Sequence, residues 1–422
     1  MVKNSDKIFW ALLSFFCLGL GAAFGLGFWS MISAILLFSS LLAIGLCFVA
    51  ENIVDSSAKY LNYLLGMFIL TSILLGPEGK PVFTWWMGFY VLAFLIWILS
   101  FKVEFVKKNK VWIILGLIVV GQGGALLAYQ NVFSDVVYEV NYGVDYLLKG
   151  IFPYTAIPIT HLGDPWRYYY LPGGLFLSIP FRLILGDARW VFIVAEIITV
   201  FVLKKISKGS TGENQKTIEA LILIPLVVPK VSLAYFWNGN IEWLLIVSVS
   251  CLAYFLIKKN KWATGIALGL GVGIKQQFII YPALFLWNRY SKKTLLIAVM
   301  LAGLIVLPFA IWDYKTMSDA LLYVNNKTPI PERVTLWSLF YHLGIILPKE
   351  VRTLMLFGAI AISGGVAYLG RHSYSKAFIG AGLGMTLASL LANFSAYNYF
   401  HYALFLVALG LIFSLLEKEK VI

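Results

Sequence analysis

Long runs of apolar residues, separated by short polar or charged segments, dominate the hydropathy pattern of the chain. A run of about 17 to 25 such residues is long enough to cross a lipid bilayer as an α-helix. The pattern therefore predicts an all-α, polytopic membrane protein with about 12 to 14 transmembrane helices. The clearest predicted spans lie near residues 8–27, 29–50, 60–76, 83–101, 111–130, 187–203, 217–236, 241–257, 294–312, 351–370, 377–393 and 400–416.

Two further apolar stretches fit a simple span less well. Residues 171–186 are short for a span and contain two prolines and Arg182, whereas residues 262–287 carry Lys275 near their middle. The first stretch is predicted to stay outside the membrane or to re-enter it, although a real crossing would move the basic loop 204–216 to the outside. The second stretch is predicted to enter and leave on the cytoplasmic side, as a broken hairpin or as two short spans.

Composition and charge support a membrane protein. The 422-residue chain is 60% hydrophobic and 13% charged, whereas about 25% of the residues of a soluble domain are charged. One orientation places about two-thirds of the 33 Lys and Arg residues in cytoplasmic loops, so the net charge of +13 indicates orientation and no nucleic-acid partner is expected. This orientation predicts that both termini are cytoplasmic, and we expect the protein in the plasma membrane. It also predicts two external loops, 131–186 and 313–350, that carry amphipathic interfacial helices.

The first external loop begins with an acid-bearing, amphipathic segment. Residues 134–148 place apolar or aromatic side chains at the three-to-four spacing of a helix that lies on the membrane surface. Asp135 and Glu139 are four residues apart and therefore share one helical face, and Gly150 and Pro153 are expected to end the helix. Periodicity alone favours a solvated face of an interfacial helix for the two carboxylates.

Asp135 begins a particular order of short motifs. This acid lies just after a span, and it is followed by a tyrosine, a helix that closes in "LLKG", then "PY" and "YYYLPGGLFLSIPFRLILG". This order resembles the first external loop of the GT-C superfamily of integral-membrane glycosyltransferases. The matching residues are Asp135, Tyr138, Leu147, Leu148, Gly150, Pro153, Tyr154, Tyr168, Tyr170, Pro172 and Pro180.

A second stretch, residues 237–290, carries a polar "GN", a span, a basic turn, a Gly-rich run that ends in a lysine, and a proline-bearing helix. It resembles the polyprenol-phosphate-mannose-dependent branch of the same superfamily, through Gly239, Asn240, Gly265, Gly269, Gly273, Lys275, Pro282 and Trp287. The likeness implies a GT-C-like catalytic core at residues 111–312. A four-helix membrane region at 1–110 would precede this core, and a C-terminal membrane region at 313–422 would follow it.

The resemblance implies transfer of a hexose, mannose in this branch, from a polyprenyl-phosphate donor to a lipid-linked or cell-surface acceptor on the extracytoplasmic side. A carboxylate at the membrane surface can take the proton of the acceptor hydroxyl. Asp135 is the predicted base, because it comes first after the span and matches the acid of the family. Glu139 is its predicted catalytic partner, with a metal ligand or a surface residue as alternatives. Asp145 and Asp164 are the other candidates for the base.

Cations are needed to hold the departing phosphate, on which negative charge grows in the transition state. Lys275 is the most informative of them, because a lysine within an apolar run usually faces a cavity or a partner. It is predicted to bind the donor phosphate, with snorkelling to a water interface as the alternative. Arg167 and His161, beside Tyr168 and Tyr170, are predicted to contact the donor, although an ordinary lipid-headgroup contact would also suit Arg167.

Two further positions are predicted to bind substrate. The resemblance implies that Asn240 binds substrate. His401, within "YNYFHY", belongs either to an interfacial aromatic belt or to the floor of a sugar site. No pair of histidines has metal-ligand spacing. The sequence therefore requires no metal and no cofactor, and it is compatible with a divalent cation.

Two other functional classes also combine many spans with external loops. A transporter or flippase of a lipid-linked sugar would show internal repeats and paired broken helices, and residues 262–287 meet only the second expectation. A polymerase or ligase of surface polysaccharides would place arginines and a histidine in a later loop, so the early acid-bearing loop argues against that class. A membrane glycosyltransferase fits the sequence best.

The predicted orientation can be tested by cysteine labelling. We expect single cysteines introduced near residues 145 and 325 to react with a membrane-impermeant thiol reagent from outside, because both predicted external loops lie there. A cysteine near residue 210 should stay unlabelled in intact cells. External labelling near residue 210 would show that residues 171–186 form a true span.

Overall fold

A computed structural model describes residues 6–25, 31–52, 55–74, 81–128, 135–155, 167–228, 241–275, 278, 289–326, 335–391 and 397–421. Most of these residues are helical and none belongs to a strand, which confirms the predicted all-α fold. The helices of this part of the chain are α1 (Lys7–Gly25), α2 (Met31–Val49), α3 (Asp55–Leu74), α4 (Pro81–Leu99), α5 (Glu104–Ala128), α6 (Asp135–Leu148), α7 (Gly173–Leu185), α8 (Trp190–Ile206), α9 (Gly212–Val227), α10 (Glu242–Ile257), α11 (Lys261–Ile274), α12 (Lys292–Asn326), α13 (Leu336–His342), α14 (Lys349–Gly370), α15 (Tyr374–Leu391) and α16 (Tyr397–Lys418).

Several of these helices are long and apolar enough to cross a membrane. Among the described residues, α2, α5, α12, α14 and α16 have the length and composition to cross it, and α7, α10 and α11 are shorter apolar helices. The chain is therefore a polytopic membrane protein. The 13 residues of α7 extend about 20 Å at 1.5 Å per residue, less than the roughly 30 Å of a hydrocarbon core. This length favours the prediction that residues 171–186 stay outside the membrane or re-enter it.

Two compact units divide the chain. The first comprises Met1–Ala128, Leu203–Ala234 and Pro329–Ile422, and the second comprises Tyr129–Val202 and Tyr235–Thr328. Within the first unit α1 packs on α2, α4 on α5, α3 on α9, and α15 on α16. Within the second unit α6 packs on α7, and α11 packs on both α10 and α12. The domain boundaries at residues 110 and 312 remain a prediction.

In the first unit, side chains of other helices satisfy the last carbonyl groups of α9. The carbonyl oxygen of Pro225 lies 2.8 Å from Nε2 of the buried His401, and that of Val227 accepts a hydrogen bond of 3.3 Å from the Ser72 hydroxyl. A helix continuing past Val227 could not supply a donor to Pro225, because the residue four positions later is Pro229, which has no N–H. His401 therefore joins α16 to α9.

In the second unit, glycines at four-residue spacing let α11 approach α12 closely. A Cβ on Gly265 would come within 2.8 Å of the Thr294 carbonyl oxygen, and one on Gly269 would come within 2.8 Å of the Ala298 carbonyl oxygen. Gly273 continues the same row, where a Cβ would meet a side chain of α12 at 3.0 Å. Small residues at this spacing are typical of closely packed membrane helices.

A kink at Asp313 divides α12. Asp313 has φ −156° and ψ 89°, outside the helical region. Its carboxylate accepts hydrogen bonds from the backbone N–H of Thr316 at 3.0 Å and from the hydroxyl of Thr316 at 2.6 Å. This is the arrangement of a helix N-cap, so a second helical segment starts here and runs to Asn326. The predicted external loop 313–350 therefore begins with a helix.

The close approach of α11 and α12 gives a stability prediction. We expect Gly269→Ala to lower the melting temperature, because the new Cβ would meet the backbone of α12, which cannot rotate away. Gly303→Ala in α12 is the matched control, since its Cβ would meet only Cδ1 of Leu307 at 3.6 Å. The control should melt at or slightly above the wild-type temperature, because alanine favours a helix over glycine by about 1 kcal/mol. Thermal melting of both variants in detergent checks the prediction, and a Gly269→Ala protein as stable as its control would contradict the packing.

Candidate active site

The acid-bearing helix α6 packs against protein along its apolar side. Val140 and Val144 are buried, and the carboxylate-bearing Glu139 is only 2% exposed. The cluster that covers this side comprises Val140, Val144, Phe152, Tyr154, Tyr168, Leu171, Leu175, Ala188, Phe309, Met317 and Ala320. Glu139 therefore does not belong to a solvated face, in contrast to the interpretation that periodicity alone favours. Position 135 is the first residue of α6, one turn before Glu139.

Two polar contacts fix α6 to the corner between α7 and α8. The Asp145 carboxylate accepts two hydrogen bonds from the Arg182 guanidinium, 2.8 Å from Nε and 2.7 Å from Nη2. One turn earlier, the Asn141 side-chain oxygen accepts a hydrogen bond of 2.9 Å from the backbone N–H of Ala188. A bidentate Arg–carboxylate pair fixes orientation as well as distance. Asp145 thus serves to position α6.

A tyrosine segment, Tyr168–Leu171, lies beside α6 and α7. The Tyr154 hydroxyl donates a hydrogen bond of 2.7 Å to the Tyr170 carbonyl, and the Tyr168 hydroxyl donates one of 3.1 Å to the Leu171 carbonyl. Burial raises the pKa of both phenols, and the charge of Glu139 further raises the pKa of Tyr168. Both hydroxyls therefore stay protonated and serve as donors that satisfy the non-helical backbone of the segment.

Glycines make room for this segment. A Cβ on Gly174 would come within 2.8 Å of the Tyr168 hydroxyl, and a Cβ on Gly143 would come within 2.9 Å of Leu175 and 3.5 Å of the Tyr168 ring. Gly143 lies one turn after Glu139 on α6, and residues four apart share a helical face. Glu139 therefore lies on the side of α6 that faces Tyr168, in agreement with its electrostatic effect on that phenol.

The tyrosine segment is joined to the end of α11, where Lys275 lies. The Leu171 N–H donates a hydrogen bond of 3.2 Å to the Ile274 carbonyl, and Lys275 is extended, with φ −151° and ψ 131°. The Lys275 ammonium lies 2.5 Å from Oε1 of Glu242 and 5.1 Å from the centre of the Tyr170 ring. The Lys275 and Glu242 side chains are 2% and 1% exposed. The ammonium thus lies in a buried ion pair beside an aromatic ring, and not at a water interface.

Glu242 is the site residue that sequence reasoning missed. It lies in the first turn of α10, near the beginning of a predicted span, 33 residues before Lys275. Charged residues inside membrane segments usually pair with one another. Opposite charges in two neighbouring apolar runs were therefore a signal that could have identified the pair.

The structure gathers some of the predicted site residues in the second unit. Tyr168, Tyr170 and Lys275 belong to one bonded local structure, and the half-buried Arg167 directly precedes the tyrosine segment. Glu139 faces Tyr168 from α6. His401 belongs to the first unit, where it bonds to α9.

Other predicted residues are described incompletely or not at all. Asp135 begins α6, and its side chain lies outside the described part of the chain, as do His161, Asp164 and Asn240. Within the ranges that the structure describes, His, Cys, Asp and Glu form no group of three or more that could hold a metal ion.

Comparison with known families decides the class of protein. A model of glycosyltransferase family 87 matches residues 168–416, more than half of the chain. The chain belongs to glycosyltransferase family 87. No curated protein and no solved structure shows significant similarity to it.

Family-87 membership confirms the predicted class and supports the GT-C resemblance. The protein is a membrane glycosyltransferase that uses a sugar donor and an acceptor. The matched region contains Tyr168, Tyr170, Glu242 and Lys275, whereas α6 with Asp135 precedes it. The mannosyltransferase branch and the lipid-phosphate donor remain predictions.

The buried ion pair of this family-87 transferase gives a second stability prediction. Lys275→Met should destabilise the protein by about 3–5 kcal/mol, because the Glu242 carboxylate would stay buried without its cation. The double variant Lys275→Met/Glu242→Gln should regain most of that loss. Lys216→Met is the matched control, since its ion pair with Glu213 is exposed and is worth at most about 1 kcal/mol. Denaturation in detergent measures all three variants, and a Lys275→Met protein as stable as wild type would show that the pair does not form.

Proposed function

We propose that this family-87 enzyme transfers a hexose, most simply mannose, from a polyprenyl-phosphate carrier to a lipid-linked or cell-surface acceptor. The reaction takes place on the extracytoplasmic side of the plasma membrane, with both termini in the cytoplasm. The distribution of basic loops supports this orientation. The order of motifs around Asp135 and Lys275 supports the donor class.

The hydrogen bond between Leu171 and Ile274 carries the proposal. It joins the tyrosine segment, which packs against α6, to the end of α11, which bears Lys275. Through this bond, the helix that begins with Asp135 and the buried lysine belong to one bonded structure within the second unit. A base for the acceptor and a cation for the donor phosphate are the two groups that the reaction needs.

Each proposed group has a distinct role. The Asp135 carboxylate takes the proton of the acceptor hydroxyl as its oxygen attacks the anomeric carbon. The bond from that carbon to the phosphate oxygen breaks, and the phosphate leaves with the electron pair. Lys275 holds the phosphate, and Glu139 assists the base from the next turn of α6.

The remaining predicted residues would surround the two substrates. Arg167 and His161 contact the donor phosphate beside Tyr168 and Tyr170. Asn240 contributes to the donor site from the segment before α10. The buried contact of His401 with Pro225 supports a packing role for that histidine over a sugar-binding one.

The base is tested by an isosteric substitution. Asp135→Asn keeps the size of the side chain and removes the base, and loss of a general base typically lowers the rate about 10²- to 10⁴-fold. We expect this loss in the transfer of label from radiolabelled polyprenyl-phosphate hexoses, tested as a panel with the purified enzyme in lipid. The melting temperature should stay near that of the wild type.

Glu139→Gln and Asp145→Asn are the controls, and both should lose less activity. Asp145 is the closer control, because its carboxylate already accepts two hydrogen bonds from Arg182. An active Asp135→Asn enzyme beside an inactive Glu139→Gln enzyme would move the base to Glu139. If no polyprenyl-phosphate hexose in the panel donated its sugar, the proposed donor class would be wrong.

A further inference from the structure

We infer that Glu242 is the counter-ion that holds Lys275 between turnovers, and that the donor phosphate displaces it. Glu242 is then a positioning residue whose charge competes with the lipid phosphate for one ammonium group. The inference rests on the proposed function, in which Lys275 binds that phosphate. It adds a residue that sets how tightly donor and product are held.

Burial makes Glu242 a competitor of the donor. The Lys275 ammonium is almost fully buried and lies 2.5 Å from the Glu242 carboxylate. Two anions that share one buried cation repel each other strongly, because the interior screens charge poorly. A phosphate that binds Lys275 therefore has to separate the ammonium from Glu242.

The start of α10 stabilises the carboxylate after this separation. Glu242 lies in the first turn of that helix, where the positive end of the helix dipole favours a negative side chain. The carboxylate can therefore lose its contact with Lys275 without losing all of its electrostatic stabilisation.

Hydrogen bonds hold the backbone on both sides of the Lys275 side chain. The Lys275 backbone N–H donates a hydrogen bond of 3.3 Å to the Gly271 carbonyl, and the preceding carbonyl accepts from Leu171. The ammonium is carried on a flexible four-carbon stem, and the Tyr170 ring, 5.1 Å away, offers it a favourable face. The lysine can thus swing from Glu242 towards a phosphate while its backbone stays fixed.

The charge of the product gives Glu242 a function in turnover. Transfer of the sugar converts a phosphodiester into a phosphate monoester, which gains negative charge and would bind Lys275 more tightly than the donor does. When the Glu242 carboxylate pairs again with the Lys275 ammonium, it promotes release of the phosphate monoester. Without that carboxylate, the product should bind more tightly and turnover should fall.

The test compares lipid-phosphate binding by full-length variants in nanodiscs, measured by intrinsic tryptophan fluorescence. The probe is undecaprenyl phosphate, with undecaprenol as the uncharged control and inorganic phosphate as the source of phosphate without lipid. We expect Glu242→Gln to bind undecaprenyl phosphate on the order of tenfold more tightly, the size of a typical coupling between two ligands. Undecaprenol binding should not change. Glu219→Gln, which removes the carboxylate of the Lys204–Glu219 ion pair in the first unit, is the matched control and should bind like wild type.

Each outcome decides the inference. Equal or weaker binding of undecaprenyl phosphate by folded Glu242→Gln overturns it, as does tightening confined to inorganic phosphate. If Glu242→Gln does not fold, Glu242→Asp takes its place, since it keeps the charge on a shorter side chain and should tighten binding by a smaller factor. Equal binding by wild type and Lys275→Met would instead reject the proposed phosphate site itself, and the role of Glu242 with it.

Discussion

The cost of burying an ammonium group organises the second unit. An unpaired cation in a water-free interior is several kcal/mol too costly to persist, so the position of Lys275 requires an anion nearby. Glu242 meets this requirement from the first turn of α10. The ammonium also lies over the Tyr170 ring, 5.1 Å from its centre. The start of α10, the end of α11 and the tyrosine segment are consequently held at one place.

The backbone in this region obeys the same constraint. Tyr168–Leu171 is not part of the regular helices, and polar backbone groups in apolar surroundings need partners. The hydroxyls of Tyr154 and Tyr168 and the carbonyl of Ile274 supply these partners. Because burial keeps both phenols protonated, their hydrogen bonds do not depend on ordinary changes of pH. Two tyrosine hydroxyls therefore satisfy backbone carbonyls where a helix is absent.

Local sequence patterns predicted much of this fold. The sequence predicts the acid-bearing helix at 134–148, and the structure has it at Asp135–Leu148, followed by Gly150 with a φ of 70°. Lys275 is recognisable from the sequence, because the free-energy cost of a charged side chain within an apolar run follows from the sequence alone. Its partner Glu242 lies 33 residues earlier, and opposite charges in neighbouring apolar runs indicate such a pair only if α10 and α11 pack against each other. The burial of Glu139 likewise depends on packing, because periodicity defines a face and does not reveal what covers it.

The distribution of positive charge bears on which carboxylate can act as a base. In the second unit, Asp145 is paired with Arg182, Asp187 with Arg189, and Glu242 with Lys275. Each of these carboxylates already accepts a hydrogen bond from its cation. These pairs hold α6 in place, secure the start of α8 and balance a buried lysine. Proton transfer from an acceptor hydroxyl suits these three carboxylates poorly, which supports the proposal that the base lies at the start of α6, where Asp135 precedes the buried Glu139.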